Sequence, residues 1–191
     1  GTATSALVVP NLTVGNTAAK NFYLGGENQD ANTISAVIPN NTAATTVQKS
    51  GNGLWVLSGA NTYTGNTIVT GGTLRVQDTF SGSSRNVLDA TGAIQFNVDA
   101  LRGNQVAGGT FQYFGDGANA STEAVGALTL TAGSGVIDVR PGSGGSAALT
   151  FGSFGTRTAG AVANVLTTGT VNITGTSGFV NAGLYYGGSD F

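Results

Sequence analysis

Residues 49–76 read KSGNGLWVLSGANTYTGNTIVTGGTLRV, a unit of strand, loop and strand whose strands are too short to stand alone. Leu54 and Val56, Ile68 and Val69, and Leu74 and Val76 form short apolar runs, with Gly53, Gly59, Gly65, Gly71 and Gly72 between them. Glycine accepts the backbone conformations that a corner needs. A strand of three or four residues buries too little apolar area to offset its ordering entropy. Such a unit therefore persists only when similar units stack on both of its faces. Alternation within the unit predicts that Leu54, Val56, Leu74 and Val76 point into the core, and it sends Trp55 to the opposite face.

The same residues resemble a known family. Gly51, Gly53, Leu54, Val56, Leu57, Ser58, Gly59, Asn61, Thr62, Tyr63, Thr64 and Gly65, then Thr67 and Val69, then Gly71, Gly72, Thr73 and Leu74 follow the pattern of the autotransporter-associated β-strand repeat, also called the passenger-associated transport repeat. The repeat-defining positions are Gly53, Leu54, Val56, Ser58, Gly59, Asn61, Tyr63, Gly65, Val69, Gly71, Gly72 and Leu74. The resemblance is close over about a seventh of the chain and looser over residues 22–38. It implies a right-handed parallel β-solenoid, secreted or displayed at a cell surface as a segment of a much larger bacterial protein. No part of the chain resembles an outer-membrane barrel, so the resemblance concerns the passenger part alone.

Composition narrows the partners. Only 8% of the 191 residues are charged, against a usual ~25%, and the formal net charge is −2. Weak mutual repulsion permits close association of copies. The seven cations, Lys20, Lys49, Arg75, Arg85, Arg102, Arg140 and Arg157, are scattered. Nucleic acid is not expected as a partner, because no cluster is present to neutralise phosphates. No apolar run approaches the ~20 residues of a membrane helix, so no membrane insertion of this segment is expected.

Strand signals recur along the whole chain and helical periodicity is nearly missing. Only residues 124–130 and 159–166 could make a helical turn or two, and their Thr and Val favour strand. Clusters such as Gly115-Asp116-Gly117 and Gly142-Ser143-Gly144-Gly145 separate the strands. Asn-Gly and Asp-Gly dipeptides occur only at Asn52-Gly53 and Asp116-Gly117, so the strongest local mark of antiparallel pairing is sparse. The predicted fold is all-β: a right-handed parallel β-helix (β-solenoid) spanning residues 1–191 as a single segment. At ~20 to 25 residues per coil, about eight or nine coils fit. Phe96, Phe111, Phe114, Phe151, Phe154 and Phe179 are expected as core or corner fillers. Trp55, Tyr63, Tyr185 and Tyr186 read as half-buried aromatics, with sugar stacking the functional alternative.

Chemistry is sparse. With no His and no Cys, neither a Ser-His nor a Cys-His nucleophile can form within the chain. Acids for glycoside hydrolysis would come from Glu27, Asp30, Asp78, Asp89, Asp99, Glu123 or Asp138, none of them in a recognisable motif. Asp138 and Arg140 share one strand face at i, i+2; a polysaccharide lyase would use such a pair, and a surface salt bridge of little worth explains it equally. The calcium-binding nonapeptide of stacked turns does not occur, and Gly115-Asp116-Gly117 reads as an isolated turn. No catalytic residue, cofactor or metal is expected.

The sequence thus predicts a non-enzymatic structural module of an extracellular or cell-surface protein: a stalk, spacer or filament-forming subunit. Few ionisable groups predict a rod insensitive to pH. The alternative is an adhesin passenger that binds glycan or protein along a lateral face. Apolar, nearly uncharged stretches at residues 2–14 and 178–191 resemble uncapped coil ends, which predicts end-to-end self-association, in a longer chain or between subunits.

Overall fold

Among the described residues every strand pairs in parallel with the strand two places away in the chain, and this rule generates the architecture. The computed structural model describes residues 6–13, 15, 18–79, 86–98, 108–175 and 183–187. One sheet contains, in spatial order, β1 (Val8–Val9), β3 (Asn32–Ile34), β5 (Leu54–Leu57), β7 (Thr73–Gln77), β9 (Thr110–Phe114), β11 (Ser134–Arg140), β13 (Val162–Thr167) and β15 (Leu184–Tyr186). The other contains β2 (Lys20–Leu24), β4 (Thr45–Lys49), β6 (Thr67–Val69), β8 (Ile94–Phe96), β10 (Ala120–Leu130), β12 (Ser146–Arg157) and β14 (Thr170–Ile173). Each coil gives one strand to each sheet, and the chain then climbs one step. The fold is a parallel β-helix with no helices among the described residues.

In-register parallel pairing puts like positions of successive coils on the same face. Two inner ladders of the first sheet run Asn32–Trp55–Leu74–Phe111–Ile137–Val165 and Ile34–Leu57–Val76–Tyr113–Val139–Thr167. The second sheet answers with Leu24–Lys49–Val69–Phe96–Leu130. Apart from the polar members Asn32, Lys49 and Thr167 and the half-buried Trp55, these ladders consist of buried apolar or tyrosine side chains that fill one continuous core. Phe96, Phe111 and Phe151 lie in it, and Phe154 packs against it half-buried. Phe114 lies on the outer face instead, beside Arg140 in register, and Phe179 lies outside the described residues.

Two expectations about residues 49–76 change. Trp55 pairs with Leu74 and Leu57 with Val76, whereas Leu54 pairs with Thr73 and Val56 with Arg75. Leu74 and Val76 are therefore inward as expected, but their inner partners on β5 are Trp55 and Leu57; Leu54 and Val56 face outward. All four residues of Leu54–Leu57 are apolar, so alternation alone leaves the phase open, and the neighbouring coil sets it. Val56 is nonetheless buried, between its lateral neighbours Thr33 and Arg75. The Trp55 indole N–H donates to the Gly25 carbonyl at 2.8 Å, which ties the ring to the preceding coil.

Coil length is less uniform than the sequence suggests. It ranges from 19 residues between the paired Val56 and Arg75 to 37 between Arg75 and Gln112. Insertions at corners are tolerated because only the strands must match. Eight strands in one sheet make a stack about 34 Å tall at ~4.8 Å per step. Residues 124–130, the helical alternative, belong to β10, and 162–166 to β13.

The inward phase gives a direct expectation. Leu57→Asp should lower stability by more than about 4 kcal/mol, by placing an unpaired charge in the core. Leu54→Asp should cost less than half as much. Urea denaturation of both variants checks this, and equal losses would put the phase of β5 in error.

Candidate functional site

Two arrangements carry the chain's polar chemistry: a strip on the outer face of the first sheet, and a column of polar groups inside the coil stack. On the strip, register brings Arg75, Gln112 and Asp138 side by side on three successive coils. Arg75 Nε donates to Gln112 Oε1 at 3.1 Å, and Gln112 Nε2 donates to Asp138 Oδ2 at 2.9 Å. Arg140 Nε reaches both Asp138 oxygens at 2.9 and 3.0 Å, and its Nη2 lies 2.9 Å from Oδ2. The Arg75 and Arg140 guanidiniums lie over the Phe114 ring at 4.1 and 5.8 Å from its centre. Desolvation, followed by repulsion from Arg140, pulls the Arg75 pKa down; the Asp138 hydrogen bond pushes that of Arg140 up.

The pair expected at Asp138 and Arg140 is thus part of a cross-coil network rather than an isolated bridge. Asp138 is 5% exposed, yet the Arg140 side chain remains 57% exposed, so solvent screens the attraction and its net worth stays near 1 kcal/mol or less. Beside the network lies an open groove of about 540 Å³ bordered by Asp138, Arg140, Leu166, Thr167, Thr168 and Tyr186. Tyr186 is 52% and Leu166 43% exposed.

Among the described residues the remaining acids do not converge on a substrate site. Glu27 Oε2 accepts from Asn52, Asp89 from Thr91, and Asp116 from Asn119 within its own turn. Asp30 lies at the β3 entrance, where the Asn28 side chain accepts its backbone N–H, and Asp99 lies outside the described residues. Among the described residues no group of three or more metal-ligating acids forms. Asp78 and Glu123 share the interior with Tyr63 and Tyr113.

That interior column contains residues that sequence reasoning passed over. Lys49 lies on an inner ladder between Leu24 and Val69, fully buried. Its ammonium donates to the carbonyls of Ser50 at 2.7 Å, Gly51 at 2.8 Å and Gly71 at 3.1 Å. One side chain thus satisfies three corner carbonyls on two coils. The period-two pattern Thr45, Val47, Lys49 points inward, but a lysine in a short strand ordinarily reads as exposed.

Asparagines act similarly. Asn32 accepts from the Leu7 N–H at 3.0 Å and donates to Leu54 O at 3.1 Å. Asn61 accepts from the Ile38 N–H at 2.9 Å and donates to Val87 O at 2.9 Å. Each amide links the coil below to the coil above. Glu123 does the reverse with a carboxylate, accepting the N–H groups of Val87 at 2.7 Å and Leu88 at 2.8 Å. Burial, with the Asp78 charge adding to it, pushes the Glu123 carboxyl up to about 8 against the pull of those two N–H groups.

The repeat-defining positions occupy this framework. Tyr63 is buried, its hydroxyl 2.7 Å from that of Thr67; Val69 and Leu74 are core, and Ser58 donates its backbone N–H to Ile34 O. Gly72 has φ of +58° at the turn before β7, a conformation side chains resist. At Gly59 a Cβ would run into the Ala36 carbonyl of the coil below. Gly53, Gly65 and Gly71 line the same coil-to-coil contacts.

Comparison with known proteins agrees with this geometry. Residues 44–76 match the family model of the passenger-associated transport repeat. The match begins five residues before the sequence motif and takes in β4 with Lys49. Over 85 residues, 43% of the chain, it is 34% identical to the Adhesin BmaC autotransporter of Brucella suis biovar 1 (strain 1330). The chain spans 2% of that relative's length. No solved structure gives a significant match. The class is a parallel β-solenoid. Within it, the chain carries a passenger-associated transport repeat.

Lys49→Ala should destabilise the protein by roughly 3 kcal/mol or more, since it orphans buried carbonyls at a cost of about 1–3 kcal/mol each. Arg140→Ala should cost about 1 kcal/mol or less. Paired chemical denaturation curves check both, and a Lys49 loss of only about 1 kcal/mol, no larger than that of Arg140, would show the internal cation to be unimportant.

Proposed function

We propose that the chain is a structural module of an extracellular or cell-surface passenger protein, a spacer or stalk that keeps its shape through stacked coils. The observation that carries this reading is the uninterrupted parallel ladder from β1 to β15 and from β2 to β14. Each coil contacts its neighbours along one axis and adds to one continuous core, so the array resists bending and extension. The matched repeat and the adhesin autotransporter relative support the surface setting. The acids' dispersal among local turns, a salt bridge and the interior supports a non-enzymatic role, and the lyase reading gains nothing from it.

The outermost strands have their own place in this proposal. Among the described residues β1, β2, β14 and β15 each pair on one side only. Such edges accept a further coil. Addition of a coil there, within a longer chain or between subunits, is the end-to-end partnership that this function requires.

A second reading, an adhesin face, rests on the groove beside Asp138 and Arg140 and its exposed Tyr186. Aromatic faces beside fixed polar groups suit glycans as well as protein side chains.

Electron microscopy of the 191-residue chain across a concentration series tests the structural role. Rods about 34 Å long, lengthening by end-to-end addition as concentration rises, are expected. Globular particles of constant size would contradict it. Binding to a glycan array that Tyr186→Ala abolishes would move the assignment to the adhesin face.

A further inference from the structure

Where β10 begins, the coil stack changes character, and one buried carboxylate bridges the change. Below this level the chain turns inward between its two strands, and those turns form an inner wall: Ala36 and Ile38, then Asn61 and Tyr63, then Val87 and Leu88, all buried. Backbone and asparagine bonds tie each level to the next. Thr62 N–H donates to Ile38 O, and both the N–H and the side-chain amide of Asn61 donate to Val87 O. At the next level β10 runs for 11 residues and pairs with β12 from Ala120 to Leu130, with a register shift between Leu128 and Leu130. Toward the coil below, β10 pairs with β8 only from Leu128 to Leu130, and Gly126 N–H donates to Gly92 O. The N–H groups of Val87 and Leu88 are met by the Glu123 carboxyl, reaching in from β10 across 36 and 35 residues of chain. Ala124 N–H donates back to the Asn86 side chain at 3.2 Å.

Val87 is therefore gripped from both sides, its carbonyl by Asn61 and its N–H by Glu123. The second grip is ionisable and nearly solvent-free. The titratable groups around it are Asp78 at the end of β7, Tyr113 on β9 and Tyr63 ahead of β6. Its lateral neighbour on β12 is Leu149, which has no charge to offer. The Asp78 charge opposes ionisation of Glu123 in this apolar interior.

We propose that Glu123 is a proton-operated latch: with the proton on its carboxyl it holds Val87 and Leu88 in the core, and loss of that proton loosens the joint between the repeat-type coils and the long-strand coils above them. A neutral carboxyl still accepts N–H hydrogen bonds and costs far less to bury than an anion. The ionised form gains stronger bonds from the two N–H groups but bears the desolvation cost and the opposition of Asp78. Burial pushes the folded-state carboxyl from the ordinary 4.5 up to about 8. The linkage sign follows. Between these two values the folded chain retains a proton that the unfolded chain has released, so stability falls as pH rises through this window and levels off above it. The expectation of a pH-insensitive rod gives way at this one residue.

Thermal unfolding of the 191-residue chain between pH 5 and pH 9.5, wild type against Glu123→Gln, tests the latch. The wild-type midpoint should fall across the window, and the neutral isostere should remove most of that fall. An equal slope in both proteins, or a flat wild type, would overturn the proposal. Should Glu123→Gln fail to fold, the wild type still decides. Infrared spectroscopy should show a protonated carboxyl band at neutral pH that disappears with a midpoint near 8, and the Val87 and Leu88 amide resonances should move with the same midpoint. A band lost in the ordinary carboxylate range, or amides that do not follow it, would overturn the proposal equally.

Discussion

The backbone hydrogen bond between coils is the interaction on which the rest depends. A three-residue strand such as β6 or β8 has no partner within its own coil, so its N–H and C=O groups are satisfied only by the coils above and below. Buried backbone groups left unmatched cost too much to tolerate. Parallel, in-register stacking is the solution, and it dictates what each side chain may be. A position facing inward in one coil faces inward in the next, which is why Leu74, Phe111 and Ile137 follow one another.

Corners are where this rule is hardest to keep, since the chain leaves the ladder there. The protein handles them with buried polar side chains whose geometry imitates the backbone. Asn32 and Asn61 offer an acceptor downward and a donor upward. Lys49 gathers three carbonyls, and Glu123 accepts two N–H groups. These four residues form an internal hydrogen-bonding system that complements the strands. The lateral strip of Arg75, Gln112, Asp138 and Arg140 repeats the principle on the outside, where solvent weakens it.

Much of the fold was legible in the sequence because glycine and apolar punctuation at residues 49–76 records a unit that must stack. The strands at residues 67–69 and 73–77 stand where the apolar runs of that unit put them. The phase of β5 was not legible: Leu-Trp-Val-Leu is apolar throughout, and only pairing with β7 selects Trp55 and Leu57 for the core. Lys49 and Glu123 were missed for a related reason. Alternation from Val47 and from Val125 points both inward, but charge argues for the surface until the corner groups that they satisfy are located. The Asp138 and Arg140 pair was visible at i, i+2, whereas Gln112 and Arg75 joined it only through register.

Distances along the outer ladder test the stacked-coil account most directly. The chain contains no cysteine, so spin labels can be placed singly in pairs at Val8, Gln112 and Leu166, which lie on one ladder through Thr33, Val56, Arg75 and Asp138. At ~4.8 Å per coil, Val8 to Gln112 spans four steps, about 19 Å, and Val8 to Leu166 six steps, about 29 Å. Electron–electron double resonance should return separations that grow in this proportion. Separations that do not increase from the first pair to the second would contradict the parallel, in-register stack.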